Sequence, residues 1–228
     1  MKKISPFIIL LLSFATLQLH AQDMLPTYIE NNTAFTNAYM YGHINKLVAK
    51  NMYDKKGNNV KAPYSDLTYR PNARVKQQVV DGMVKRMNNP APAQSFMQYD
   101  FDKAFTSITK PYGLQYNDAG DIMTAYQVIN WMIANQQTQN PSAAAVAAAH
   151  KSTIAGLSSV KEFKHDVVVR AKMGEELKIL IVILESGWMD ARKKGTTKAF
   201  ADQVNASYMQ KYGVNLQQTK LDEKGLHA

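Results

Sequence analysis

Apolar residues recur along most of this chain at spacings of three and four, the pattern of helices with one buried face. Helices are predicted over residues 28–52, 71–87, 93–110, 117–134, from 143 through an alanine-rich run, 160–194, and from 196 or 197 to 212. Residues 54–70 are rich in turn formers and predict a loop, and residues 214–228 predict an irregular polar tail. The pattern therefore predicts an all-α fold: a single-domain bundle of about six or seven helices with a short irregular C-terminal tail.

Two segments are expected in the interior of this bundle. Residues 117–134 carry apolar side chains on opposite sides of the helix, which is typical of a central helix. Residues 177–184 form an apolar run that is interrupted by Lys178 and followed by Glu185. This run is too short to cross a bilayer, so it predicts a buried core segment.

The amino-terminal residues have the order of a secretory signal peptide. Lys2 and Lys3 precede the apolar stretch 7–17, and cleavage is expected after Ala21. The predicted organisation is a signal peptide over residues 1–21, an N-terminal helix and loop over 22–70, and a helical domain over 71–228 packed with it as one unit. The expected location is the periplasm or the extracellular space, with no transmembrane anchor after cleavage.

Composition excludes several kinds of chemistry. The chain has no cysteine, which excludes disulfides, thiolate metal sites and a cysteine nucleophile. Its formal net charge is +9, and loss of Lys2 and Lys3 would lower this to +7. This charge favours either general solubility or association with anionic polymers and lipids. The basic residues are scattered without interleaved aromatic residues, so no nucleic-acid partner is predicted.

The sequence contains no recognised catalytic or cofactor motif. It has no zinc-binding His-Glu-x-x-His, no Gly-x-Ser-x-Gly and no glycine-rich phosphate loop. We therefore predict no metal site, no cofactor and no assigned catalytic residue.

The most informative local cluster is residues 112–121, where Asp118 and Asp121 lie three positions apart at a predicted helix start, after Tyr112 and Asn117. The two carboxylates could bind a cation or act as acid and base. Alternatively, Asp118 is the N-cap and Asp121 occupies the third helical position, where acidic residues are stabilised without a ligand. We favour the N-cap interpretation.

Glu185 is a second candidate because it borders the most apolar segment. Burial would raise the pKa of its carboxyl and suit it to general acid chemistry. The alternative is a structural ion pair with Arg192 or with a neighbouring helix, which we favour because buried charges are usually paired.

Several features of the chain belong together: the run Tyr69-Arg70-Pro71-Asn72-Ala73-Arg74, the motif Tyr-Gly-Leu-x-x-Asn-Asp-x-x-Asp at 112–121, Tyr126, Trp131 and the ending over residues 212–226. In these features the chain resembles an uncharacterised family of exported bacterial helical proteins. The resemblance extends from about Arg70 onward. It implies a helical exported domain with no assigned activity, and no catalytic role is transferred. It also suggests that Arg74 pairs with Asp118 or Asp121.

These observations lead to one main functional hypothesis, a noncatalytic exported binding or protein-interaction module whose 112–131 surface contacts an unknown envelope or extracellular partner. The alternatives are a hydrolase of an envelope polymer that pairs Glu185 with Asp118 or Asp121, and association with anionic envelope material. The candidate binding residues are Arg74, Tyr112, Asn117, Asp118, Asp121, Trp131 and Glu185.

Overall fold

The computed structural model describes residues 67–228. The predicted signal peptide, the predicted helix over residues 28–52 and almost all of the predicted loop lie outside these residues. The division at residue 70 into two parts therefore stays a prediction.

Residues 67–228 form an all-α bundle, as predicted. Its helices are α1 (Ala73–Arg86), α2 (Ala93–Gln98), α3 (Phe101–Thr109), α4 (Ala119–Ala134), α5 (Ala143–Ser158), α6 (Lys161–His165), α7 (Val167–Lys194) and α8 (Thr197–Tyr212). Short 3-10 helices span Lys110–Tyr112 and Leu216–Gln218, and the strands β1 (Lys220–Asp222) and β2 (Gly225–His227) close the chain.

The two helices at the centre are α4 and α7. Helix α7 packs against α1, α3, α4, α6 and α8, and α4 packs also against α5 and α8. The apolar run at residues 177–184 is buried throughout, which confirms it as a core segment. None of the helices within residues 67–228 combines the length and the apolar character needed to cross a membrane.

Two helices that were predicted as continuous are each broken by an aspartate. The predicted helix 93–110 divides at Asp100, whose side chain accepts a hydrogen bond from the backbone of Lys103 and begins α3. The predicted helix 160–194 divides at Asp166, which accepts from Val168 and Val169 and begins α7. The predictions of continuity were wrong because an aspartate that satisfies free N–H groups starts a new helix even within an apolar periodic pattern.

The C-terminal tail is more ordered than its composition indicates, because β1 and β2 form an antiparallel hairpin. Gly225 has φ +92° and lies so close to α5 that a Cβ atom would be 3.2 Å from the backbone of Ala148. The Trp131 indole donates a hydrogen bond of 3.1 Å to the Thr219 carbonyl. These contacts attach the tail to α4 and α5.

Candidate functional site

A fully buried lysine lies in the middle of α7. Lys178 has 0% of its surface exposed, although it belongs to the most apolar segment of the chain. Its ammonium donates to Asp102 in α3, and to Glu175 Oε1, one turn earlier in α7, at 2.9 Å. Two carboxylates therefore compensate one buried positive charge, as a buried charge requires.

Two tyrosine rings cover this ammonium. Lys178 Nζ lies 5.8 Å from the centre of the Tyr69 ring and 5.7 Å from that of Tyr116, both within the range of cation–π attraction. Tyr69 is buried, whereas Tyr116 is 39% exposed. The ammonium thus lies beneath an aromatic layer whose outer member faces solvent.

Gly174 makes room for Tyr69 on α7. A Cβ atom at this position would lie 2.4 Å from the Tyr69 hydroxyl oxygen, closer than any real contact. Burial, reinforced by the negative charges of Glu175 and Asp102, raises the pKa of Tyr69 far above its ordinary value. The hydroxyl therefore stays protonated, and it donates to the Tyr116 carbonyl at 3.3 Å.

A cavity of about 210 Å³ opens beside this group, between α1, α3 and α7. We call it the Lys178 cleft. It is lined chiefly by Ala73, Lys76, Asp100, Phe101, Asp102 and Glu175.

Lys76, the cation that lines the cleft, is already engaged with the protein. Its ammonium donates to the carbonyls of Met97 at 3.0 Å and Tyr99 at 2.8 Å, and it lies 5.4 Å from the centre of the Phe101 ring. Burial lowers its pKa, and the negative charge of Glu175 opposes that shift. Since Lys178 is also engaged, the groups left to meet a ligand are mainly carboxylate oxygens.

The Lys178 cleft is not among the sites that the sequence predicts. The sequence does contain one indication of it, because Glu175 and Lys178 are three residues apart and share one face of a helix that is otherwise apolar there. The contribution of Asp102 could not be found in this way, because it lies 76 residues away in the chain.

Asp118 is the N-cap of α4. It is 4% exposed, and its Oδ1 accepts hydrogen bonds from the backbone of Gly120 at 2.8 Å and of Asp121 at 3.1 Å. The N-cap interpretation is therefore confirmed.

Asp121 occupies the first turn of α4 and holds the loop before it. Its Oδ2 accepts from the Gln115 backbone at 2.7 Å. Its Oδ1 lies 2.6 Å from His150 Nε2, an ion-pair distance without the geometry of a hydrogen bond. The proximity of His150, which belongs to α5, was not predicted, because nothing in the sequence relates residues 121 and 150.

The start of α4 also positions Tyr69. The Tyr69 backbone donates to the Asn117 carbonyl at 2.9 Å, and Ala119 donates to the Leu67 carbonyl at 3.1 Å. Thr68 and Asp118 form an antiparallel bridge between these two bonds. The Asn-Asp motif therefore contributes to the cleft indirectly, by holding the segment that places Tyr69 over Lys178.

The other predicted residues have mostly structural contacts. Tyr112 donates to the Pro141 carbonyl at 3.2 Å, and Trp131 is held by Thr219. Arg74 is exposed and, within residues 67–228, forms no ion pair with Asp118 or Asp121, so the suggested pairing was wrong. Most of α4 is buried, so its part of the 112–131 surface is not available to a partner.

Glu185 is partly buried and lines a separate, small cavity. Burial raises its pKa, and the positive charge of Arg192 opposes the shift. Within the described part of the chain its carboxylate forms no ion pair, so the expected salt bridge to Arg192 is absent. Neither Asp118 nor Asp121 lines this cavity, and both are occupied by backbone contacts, which weakens the hydrolase hypothesis.

Among residues 67–228, no three histidine, aspartate or glutamate side chains are grouped so that they could hold a metal ion. Comparison with known proteins found no matching family model, no matching curated protein and no matching solved structure. The resemblance to an exported bacterial family stays a prediction, and the inferences below are based on the geometry of the chain itself.

Proposed function

We propose that this protein is a noncatalytic binding module that takes a small polar ligand in the Lys178 cleft. The observation that carries the proposal is a fully buried lysine, held by Asp102 and Glu175 at the edge of a cavity of about 210 Å³. Small-molecule sites combine a preformed cavity with a few fixed polar groups.

The bonding of the cleft supports binding rather than catalysis. Lys178 is neutralised by two carboxylates, and Lys76 is bonded to two backbone carbonyls. A lysine nucleophile needs an available neutral amine, and both of these amines are held as hydrogen-bond donors to the protein. The cleft therefore offers fixed polar groups and no free lysine amine.

The ligand should be rich in hydrogen-bond donors. Asp100, Asp102 and Glu175 contribute three carboxylates to the cleft, against the single ammonium of Lys76, which already has protein acceptors. Ionised carboxylates only accept hydrogen bonds. A hydroxyl-rich or amine-bearing molecule fits this lining better than an anion.

The proposed setting is the periplasm or the extracellular space, and it is supported by the basic, apolar and small-residue order of residues 1–21. A cleft that takes a small ligand is compatible with an exported module that also meets an envelope partner. Recovery of the expressed protein with an intact residue 1 in the cytoplasm would contradict this setting.

The binding proposal is tested by a fragment screen on isotopically labelled protein, with polyols, amines and carboxylic acids followed by amide chemical shifts. We expect polyols or amines to shift amides near Ala73 and Asp102. Ala73→Trp should abolish these shifts, because Ala73 lines the cleft at the exposed start of α1 and a bulky side chain there fills it.

Gln78→Trp is the matched control, since Gln78 is exposed on the same helix and does not line the cleft. It should leave binding unchanged. Equal binding to both variants, or shifts confined to another part of the protein, would show that the Lys178 cleft is not the binding site.

A further inference from the structure

A second cavity, of about 50 Å³, lies between α3, α4, α5 and α7, apart from the Lys178 cleft. We call it the Glu185 cavity. Its walls are mainly aliphatic and are formed by Ile108, Leu114, Val128, Ile129, Met132 and Val146. Asn140, which is exposed, also lines it, so the cavity reaches the surface there.

Of the described residues that line this cavity, Glu185 alone is charged. Its carboxylate has no hydrogen bond and no ion pair to another residue of the described chain. Arg192 lies two turns further along α7, and its charge acts on Glu185 only from a distance. A partly buried carboxylate without a direct partner is unusual, because the ionised form is costly to bury uncompensated.

The size of the cavity limits what it can hold. A buried water needs roughly 10–15 Å³ of such space, so the Glu185 cavity accommodates about four groups of that size in a row or cluster. One side of the cavity is held in place by a hydrogen bond from the Tyr112 hydroxyl to the Pro141 carbonyl. The space suits the end of a narrow chain better than a ring.

We propose that the Glu185 cavity binds the end of a short linear alkylammonium group, with the ammonium against the Glu185 carboxylate and the methylene groups against the aliphatic walls. The cation supplies the partner that the carboxylate lacks, and the chain buries apolar surface in a site that already exists. A carboxylate ligand would be repelled, and an alcohol would lack the charge. The inference does not depend on binding at the Lys178 cleft.

The probe is propylammonium, which has four non-hydrogen atoms. Calorimetry and amide chemical shifts would follow its binding to the purified protein. We expect shifts near Val128 and Met132, separate from those expected near Ala73 for the Lys178 cleft. Glu185→Gln, which keeps the shape of the side chain and removes its charge, should weaken binding at least about tenfold.

Glu162→Gln is the matched control, because Glu162 is exposed on α6 and the change in net charge is the same. It should bind propylammonium as the unchanged protein does. Equal affinity of Glu185→Gln and Glu162→Gln, or equal affinity for propylammonium and 1-propanol, would overturn the proposal.

The alkylammonium could belong to a free amine or to a lysine side chain of a partner protein. An acetylated and amidated Gly-Lys-Gly peptide distinguishes them. Binding of the peptide with shifts near Val128 and Met132 would support the proposal and favour a partner protein, and binding of propylammonium alone would support it and favour a free amine. Absence of binding by both probes would overturn it.

Discussion

The Lys178 ammonium lies 5.8 Å from the centre of the Tyr69 ring, and the two residues meet because Gly174 has no side chain. Gly174 is one turn before Lys178 in α7, and its bare backbone allows the ring to reach the helix surface. Tyr69 then shields the ammonium from solvent, so the interaction of Lys178 with Asp102 and Glu175 takes place in a region of reduced dielectric constant.

Lys178→Met should lower the free energy of unfolding by about 3–5 kcal/mol, because removing one partner of a buried ion pair leaves the other charge uncompensated. Glu175 is the residue left behind, since its side chain is 6% exposed, whereas that of Asp102 is 37% exposed and can be hydrated. Urea denaturation measures the change.

The double variant Lys178→Met/Glu175→Gln should recover part of this loss, because it removes both the lysine and the more deeply buried carboxylate. Lys198→Met is the control: Lys198 forms a surface pair with Asp202, and its loss should leave stability unchanged within error. A Lys178→Met protein as stable as the unchanged protein would refute the role assigned to this ion pair.

Gly174→Ala and Gly82→Ala should have opposite effects on stability. At Gly174 the added methyl group meets the Tyr69 ring, and such overpacking costs about 1–3 kcal/mol. At Gly82 in α1 its nearest neighbour is the end of the flexible Arg86 side chain at 3.3 Å, so the higher helix propensity of alanine should add about 0.5–1 kcal/mol.

Denaturation curves of the two glycine variants provide the comparison, and near-ultraviolet circular dichroism reports the environment of Tyr69. A change in the aromatic signal is expected for Gly174→Ala alone. Two variants of equal stability would show that the close approach of Tyr69 to α7 does not constrain position 174.

Asp118→Ala should destabilise the protein by about 0.5–2 kcal/mol, and Asp118→Asn should be close to neutral, because asparagine caps a helix as well as aspartate does. The Asp118 side chain accepts two backbone hydrogen bonds at the start of α4. Thermal unfolding of the two variants is sufficient to compare them. A large loss in Asp118→Asn would mean that the negative charge itself is required, contrary to a capping role.

Burial lowers the pKa of Lys211 from 10.5 to about 8. Between these two values the unfolded chain binds more protons than the folded chain, so this residue makes stability rise with pH over that interval. Below about pH 8 both states are protonated, and the folded protein carries the cost of the buried charge.

Lys211→Met should therefore remove part of the rise in stability between pH 8 and pH 10, and the variant should be the more stable protein at pH 7. Tyr126 acts in the opposite direction only above about pH 10, because burial raises its pKa from 10.0 to about 12 and the unfolded chain therefore loses this proton first. Urea midpoints measured across the range for both proteins give the difference, and parallel pH profiles would contradict the prediction.

The sequence alone determined the all-α class and the position of most helices. Local rules are sufficient for these features. Apolar periodicity predicted α1 and α4, the helix propensity of an alanine-rich run predicted α5, and a capping threonine predicted the start of α8. The aspartate at residue 118 marked the start of α4. The breaks at Asp100 and Asp166 were missed, although aspartate is a capping residue, because the apolar pattern continues across both positions.

Only the tertiary structure decided where the candidate site lies. Lys178 interrupts an apolar run and could have been a surface residue of its helix; its burial depends on Tyr69, Asp102 and the space above Gly174, which folding brings together from distant parts of the chain. The same holds for Glu185, which forms no ion pair with its expected partner Arg192 and instead lines a small cavity between four helices. A charge on a helix is read from sequence, but its environment is set by the elements that pack against it.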